Sequence, residues 1–427
     1  MEHGQGSASS VDAATDSSGF VANNGAAQRR RRTVALLALS TVLAMSAWFS
    51  TSAVGPALSA DRGYGSTDLT WMAIGVQAGF VVGTLTVALF NLADMFKPQR
   101  VYLVGTVVAS IAAISLLADQ PASTAIISRI GLGFALALVY PLGMKILAGW
   151  YRAGRGLVLG IMIGALAFGS GLPHLLGSLF AEDWEPAIIG AAIATLAGGL
   201  IVIAWVGSGP FQAPAAPARP RYMLEALQHR PTALATIGYL GHMWELYAMW
   251  TWMPVFLLEV VGDDTVFSGT FRVASVLVFA VFVAGAAGSV LAGFASERWG
   301  RTASASAAMV VSGGIAIFVG FLPMELEVLI VVLLVIWGLS VVADSAQFST
   351  AMSELADPNY IGTALATQTA LGFGLTIISI RLVPIVEEAS NWGVAFALLA
   401  AGPAIGTLAM LRLRALPEAR HMAHGRR

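Results

Sequence analysis

Twelve runs of mostly apolar residues divide the chain, at 34–58, 69–92, 101–118, 123–148, 157–179 and 187–206, then at 233–258, 272–294, 303–322, 328–349, 361–386 and 393–411. Each approaches or exceeds the roughly 20 residues that carry a helix across a bilayer core. None alternates with a period of two, which excludes the strands of a membrane barrel. The longest polar gap, 207–231, sets Pro210, Pro214, Pro217, Pro220 and Pro231 among alanines and arginines. Such a stretch behaves as a linker, and it splits the runs six and six. The pattern predicts an all-α membrane protein of twelve transmembrane helices in two six-helix halves. The predicted units are an N-terminal tail (1–32), a first half (33–206), the linker (207–231), a second half (232–413) and a C-terminal tail (414–427).

Composition narrows the class. The chain is 57% hydrophobic and 11% charged, with a mean hydropathy of +0.77, against about 45–50% and about 25% in soluble domains. So little charge could not keep a 427-residue globule in solution, which argues against soluble enzymes and nucleic-acid binders. The absence of cysteine removes disulfides and thiolate chemistry. The first 28 residues are rich in Gly, Ala, Ser and Asn, without the apolar core of a signal peptide; they read as a disordered cytosolic tail.

Charge placement then sets orientation. Eighteen of the 23 Lys and Arg fall in the N-terminal tail, the C-terminal tail, the linker and every second short loop, among them Arg29–Arg32, Lys97, Arg100, Arg298 and Arg301. The intervening loops are acidic, with Glu182, Asp183 and Glu185, then Asp263 and Asp264, Glu325 and Glu327, Glu387 and Glu388. The positive-inside bias predicts both termini in the cytosol, in accord with an even number of spans.

A local repeat links the halves. After the second run the chain reads Phe90-Asn91-Leu92-Ala93-Asp94-Met95-Phe96-Lys97-Pro98-Gln99-Arg100, and after the eighth Gly293-Phe294-Ala295-Ser296-Glu297-Arg298-Trp299-Gly300-Arg301. Both are tight turns with a carboxylate at one helix end and cations beyond it. The chain here resembles the major facilitator superfamily, whose loop carries Gly-x-x-x-Asp-x-x-Gly-Arg-x-x-Arg. The second copy matches at Gly293, Glu297, Gly300 and Arg301; the first keeps Asp94 and Arg100 but has Phe90 and Lys97 in place of glycines. Arg129-Ile130-Gly131-Leu132-Gly133 resembles the family's Arg-x-x-x-Gly, and the fifth run has Leu172-Pro173 where many antiporters have Gly-Pro. Gly293 permits close helix approach, and the carboxylate can face a neighbouring helix N-terminus. Asp94, Arg100, Gly293, Glu297, Arg298, Gly300 and Arg301 are therefore expected to form a conformational latch. Plain topology with tight turns is the competing reading.

Ionisable groups inside a membrane cost about 2.5–3.5 kcal/mol each on insertion scales and so ask for a reason. The resemblance implies that the first, fourth, seventh and tenth helices line a central cavity, and those runs carry Trp48 and Thr51, Arg129 and Tyr140, His242 and Glu245, Asp344 and Gln347. His242 and Glu245 share a helix face at a spacing of three, as do Asp344 and Gln347. Arg129, Tyr140, His242, Glu245, Asp344 and Gln347 are the expected substrate or proton groups. Glu245 is foremost, as a buried carboxylate able to take up and release a proton, with His242 one turn away; its alternative is structural pairing. Arg129 is either an anchor for an anion or a helix-packing residue. His174, beside Pro173, reads as a structural hydrogen-bonder, and Lys145 as a snorkelling interfacial residue.

No phosphate-binding Gly-x-x-x-x-Gly-Lys-Ser/Thr loop, His-Glu-x-x-His run or Gly-x-Ser-x-Gly elbow occurs. The expectation is therefore a secondary transporter, not an enzyme, with no cofactor and no metal. It would be a multi-pass monomer of a bacterial inner membrane, its partners lipid, a small solute and protons. The Trp48-Phe49-Ser50-Thr51 run and the glycine-rich fifth run resemble the nitrate/nitrite and cyanate porter group. Cavity arginines of nitrate porters are missing from the second run, and Arg272 lies only at the mouth of the eighth. The expected substrate is thus a small organic or inorganic anion other than nitrate, moved with protons. Proton-driven drug or metabolite efflux and a non-transporting scaffold are the alternatives.

Overall fold

The computed structural model describes residues 11–90, 92–151, 155–180, 183–211, 220–262, 271–357 and 360–426, and among them it is helical with no strand. The first half comprises α1 (Val11–Met45), α2 (Ser50–Ala53), α3 (Gly55–Arg62), α4 (Ser66–Leu89), α5 (Leu92–Met95), α6 (Pro98–Ile114), α7 (Ala122–Ala137), α8 (Tyr140–Ala148), α9 (Arg155–Leu179) and α10 (Trp184–Trp205). After α11 (Pro220–Gln228) the second half comprises α12 (Arg230–Val260), α13 (Phe271–Trp299), α14 (Arg301–Phe318), α15 (Glu327–Ala343), α16 (Ser345–Leu355), α17 (Ile361–Ala389), α18 (Trp392–Leu399) and α19 (Ala401–Ala415). Each of the twelve apolar runs lies in one or more of these helices. Ten of the resulting helical segments are long and apolar enough to cross a membrane. The first and seventh runs fall outside that set: one breaks after Met45, and the other carries His242 and Glu245 at mid-length.

Prolines explain several breaks. A proline removes the hydrogen bond to the carbonyl four residues earlier. Helix α7 accordingly ends at Ala137, four before Pro141, and α18 at Leu399, four before Pro403. Inside α17, Pro384 frees the Ile380 carbonyl in the same way, and Trp252 Nε1 of α12 donates to it at 2.9 Å. The interruption between α15 and α16 falls on Asp344.

Helix pairing repeats between the halves. In the first half α4 packs on α7 and α10 on α6 and α1; in the second α13 packs on α15 and α19 on α14 and α12. Glycines make the crossings close. A Cβ on Gly79 would strike the Ile130 carbonyl and one on Gly133 the Val76 carbonyl, so α4 and α7 meet backbone to backbone. Gly288 against the Leu339 carbonyl and Gly338 against Val281 repeat this at α13 and α15. Between halves, α9 lies along α13 and α4 along α17. Exposed apolar side chains at helical spacing, such as Val104, Val107, Val108 and Ile111 of α6, form the outer surface, as a chain solvated by lipid requires.

One end of the bundle carries Arg298, Arg301, Arg412 and Arg414 and is called the basic end. At the acidic end Arg62 joins Asp61 at 3.0 Å, Asp119 at 3.2 Å and Glu185 at 3.9 Å, drawing three loops together.

Three segments expected to be tail or linker differ from that expectation. Helix α1 opens at Val11, within the stretch read as a disordered tail; once an apolar helix is nucleated, extending it costs little. In the linker, α11 is an amphipathic helix: Ala226 packs with Met352 and Ala364, and the Tyr222 ring lies 4.3 Å from that of Tyr360. Near the C-terminus, a 3₁₀ segment Pro417–Gly425 buries Ala419, Met422 and Ala423 against the basic end. In the last two, scattered apolar residues at helical spacing outweigh the polar composition around them.

Candidate functional site

A cavity of about 310 Å³ lies between the halves at the acidic end. Its lining joins α2, α3, α4 and α9 of the first half to α12 and α13 of the second, with Thr51, Ser59 and His174 facing Thr251, Trp252 and Ser275. Among the described residues, no Lys, Arg, Asp or Glu lines it. A separate void of about 10 Å³ shares Thr51, Ser52 and Ala73 with the cavity and is also bordered by Trp48 and Gln77.

Aromatic rings floor the cavity. Trp48 and Phe49 occupy the turn between α1 and α2, where the broken helix lets both project across the interface. The Trp48 ring lies 5.0 Å from Phe80 and 5.7 Å from Tyr247, Phe49 lies 5.8 Å from Trp250, and Trp250 lies 4.8 Å from Phe282. Helix α13 orders the arrangement along one axis. It contributes Ser275 to the cavity, Phe282 to the floor and Glu297 to the basic end, so floor and basic end are about 20 Å apart at 1.5 Å per residue.

His242, Glu245 and Asp344 lie on the far side of that floor from the cavity. All three are buried. His242 Nδ1 stands 2.7 Å from Asp344 Oδ1, and His242 Nε2 is 2.9 Å from Ser345 Oγ, so the pair ties α12 to the break between α15 and α16. Glu245 does not join it. Its Oε1 accepts from Trp337 Nε1 at 2.7 Å and its Oε2 from Ser312 Oγ at 2.9 Å, binding α12 to α15 and α14. Both carboxyl oxygens are thereby hydrogen-bonded, as a buried polar group needs.

Arg129 is fully buried and turned toward α6, where its Nη2 donates to the Ala112 carbonyl; Nε and Nη1 have no partner among the described residues. Tyr140 opens α8 and is half-buried. Gln347 Nε2 donates to the Ala292 carbonyl at 3.3 Å. Of the six expected substrate or proton groups, the structure therefore brings His242 and Asp344 into contact, and none of the six lines the cavity. The residues that do include His174, read from sequence as structural, with Thr251 and Ser275; Gln77 borders the adjoining void. A signal for Gln77 was available: it is the one carboxamide well inside the second run, Asn91 lying at its end.

At the basic end the second loop copy is assembled. Arg301 Nη2 meets Glu297 Oε1 at 2.9 Å and Glu354 Oε1 at 3.2 Å, and its Nη1 donates to Ser296 Oγ at 2.8 Å. Gly300 makes the turn at φ +95°, open to glycine at little cost. Gly156, at the start of α9, lies so close that a Cβ there would come within 2.5 Å of both Arg301 and Glu297. Gly293 packs on Gly156 and Leu157. The charge cluster of one half thus sits on the helix N-terminus of the other, a favourable place for the Glu297 carboxylate. Two contacts from the C-terminus add to it: Arg426 Nη1 donates to the Glu297 carbonyl at 2.7 Å and the Ala423 N–H to Glu354 Oε2 at 3.3 Å. Arg298 and Arg100 are exposed. The Asp94 side chain lies outside the described residues.

Among known protein families, the model of the Major Facilitator Superfamily matches residues 37–380. None of the curated proteins compared with the chain matches it.

Proposed function

Because the chain belongs to the major facilitator superfamily, a family of multi-pass secondary transporters, we propose that it moves a small solute by alternating access through the cavity between its halves, coupled to protons. The observation that carries this reading is the axial order of cavity, aromatic floor and sealed basic end along α13. A cavity open at one end and closed at the other is what rocking of two halves about a central site requires.

The positive-inside bias puts the basic end in the cytosol, which gives twelve spans, counting the first and seventh runs, and two cytosolic termini. The cavity then faces outward. An anion would meet no Lys or Arg there, and Arg129 is engaged with an α6 carbonyl; an uncharged solute suits this lining better. For the coupling proton, the His242–Asp344 pair is the stronger site. Both oxygens of Glu245 already accept hydrogen bonds, whereas Asp344 Oδ1 has only the His242 ring nitrogen beside it, at 2.7 Å.

The absence of native cysteine makes the test direct. A single cysteine at Ala73, which lines the cavity, is expected to react with a membrane-impermeant maleimide from the outside, and one at Leu157, beside Gly293, to be protected from the cytosolic side. Adding Glu297→Lys breaks the Arg301 cluster, and labelling at Leu157 should rise several-fold while that at Ala73 falls. Rates that stay unlinked at the two positions would refute alternating access.

A further inference from the structure

Three polar side chains around the cavity are buried and carry an atom with no partner among the described residues: Trp48 Nε1, Gln77 Oε1 and His174 Nε2. Trp48 is 4% exposed, Gln77 1% and His174 1%. His174 lines the large cavity, and Trp48 and Gln77 line a separate void of about 10 Å³ that shares Thr51, Ser52 and Ala73 with it. All three belong to the first half. The His174 ring is stacked on Phe282 of the second half, centroids 5.7 Å apart and planes 25° from parallel, which fixes its orientation.

A buried polar atom without a partner destabilises the fold, so three beside one cavity need an account. Other polar groups that line the cavity are spent: Thr251 Oγ1 donates to the Tyr247 carbonyl, Ser59 Oγ to that of Tyr64 and Trp252 Nε1 to that of Ile380, while in the floor below Trp250 Nε1 is a further buried atom without a partner among the described residues. We infer that Trp48, Gln77 and His174 form the recognition head of the site, and that its ligand is a small uncharged solute carrying a hydrogen-bond donor and acceptor on one edge of an apolar body. This deepens the reading of the cavity as the transport route and rests on it.

Each part of the description follows from the residues. An indole N–H can only donate and Gln77 Oε1 can only accept, while a neutral imidazole takes either part according to its tautomer. A ligand that satisfies them must offer both kinds of group, as an amide or lactam does. The opposite wall, with Val255, Leu258, Phe271 and Val278, is apolar and suits a ring or short alkyl body. Among the described residues no charged side chain lines the cavity to neutralise an ion, and His174 is the one titratable group in the lining. Span 1 contributes Thr51, Ser52 and Ser59 beside it, span 2 Ser66, span 7 Thr251 and Trp252, and span 8 Phe271 and Ser275.

Two measurements on the full chain test the inference. The first needs no ligand. If Gln77 serves a solute, then Gln77→Leu removes an unpaired polar atom at similar size, and the melting temperature in detergent should hold or rise by about one to three degrees. A clear fall would show that the carboxamide supports the fold, and would overturn the inference. The second compares benzamide, benzoate and benzylammonium, one shape in three charge states, by calorimetric binding. Benzamide should bind best, and Gln77→Leu and His174→Leu should each weaken it about tenfold or more, the loss of one hydrogen bond left unpaired. Preference for either ion, binding indifferent to both substitutions, or no benzamide binding to the unaltered protein would each overturn it. Labelling at Ala73 and Leu157 depends on none of these residues, so failure here with linked labelling there would reject the ligand class and leave the transport route standing.

Discussion

Asp344→Asn is expected to flatten the pH dependence of labelling at an Ala73 cysteine, holding it at the rate that the unaltered protein shows at low pH. The ionised carboxylate draws His242 of α12 onto the break between α15 and α16, 2.7 Å away; a protonated one, or an amide, has no charge to do so. A tenfold shift between two conformations takes only about 1.4 kcal/mol, and leaving a buried polar group without its partner costs about 1–3 kcal/mol, so the change should reach about tenfold. Labelling of the single-cysteine protein between pH 5.5 and 8 provides the measurement. His242→Gln should give the same flat profile, and the double variant no further change, since the pair acts as a unit. Glu245→Gln discriminates between the two carboxylates. It can keep its contacts with Trp337 and Ser312, and the pH dependence should survive it; a profile flattened by Glu245→Gln and untouched by Asp344→Asn would move the coupling site one turn along α12.

The second large effect concerns two glycines two residues apart. A Cβ on Gly133 would enter the Val76 carbonyl, whereas one on Gly131 would meet nothing within 4 Å. Gly133→Ala must therefore push α4 and α7 apart, against an overpacking cost of typically 1–3 kcal/mol and occasionally more. Gly131→Ala should instead gain about 0.8–1.0 kcal/mol of helix propensity. Expected outcomes are a melting temperature lowered by several degrees, with less folded protein recovered, for the first, and one unchanged or raised for the second. Equal effects at the two positions would mean that the α4–α7 crossing is looser than its backbone contact implies.

Much of this was legible in the residues and some was not, for physical reasons. The apolar runs marked helices because a membrane helix must be apolar along its whole length, and Gly293, Glu297, Gly300 and Arg301 marked the basic-end cluster because its chemistry is local. Partners between helices were harder to read. His242 and Glu245 share one face at a spacing of three, yet His242 turns to Asp344 and Glu245 to Trp337 and Ser312, because helix rotation is set by packing with neighbours. Arg129 likewise meets α6, an outcome its own helix does not encode. The reciprocal glycine crossings were hidden for the same reason: Gly131 and Gly133 look alike until α4 is placed beside one of them. His174 and Gln77 are uncharged side chains in apolar runs, and only their missing partners distinguish them from packing residues.

The short 3₁₀ segment that reaches the Glu297 carbonyl and the Glu354 carboxylate has a practical consequence. A purification handle or fluorescent protein fused after Arg427 would hang its load beside Ala423 and Arg426, the residues that make those two contacts. Moved ahead of α1, the same handle would be joined to a helix far in sequence from those contacts. Functional assays and structure determination are therefore better begun from an N-terminal fusion, with the two fusion sites compared before any rate is ascribed to the protein itself.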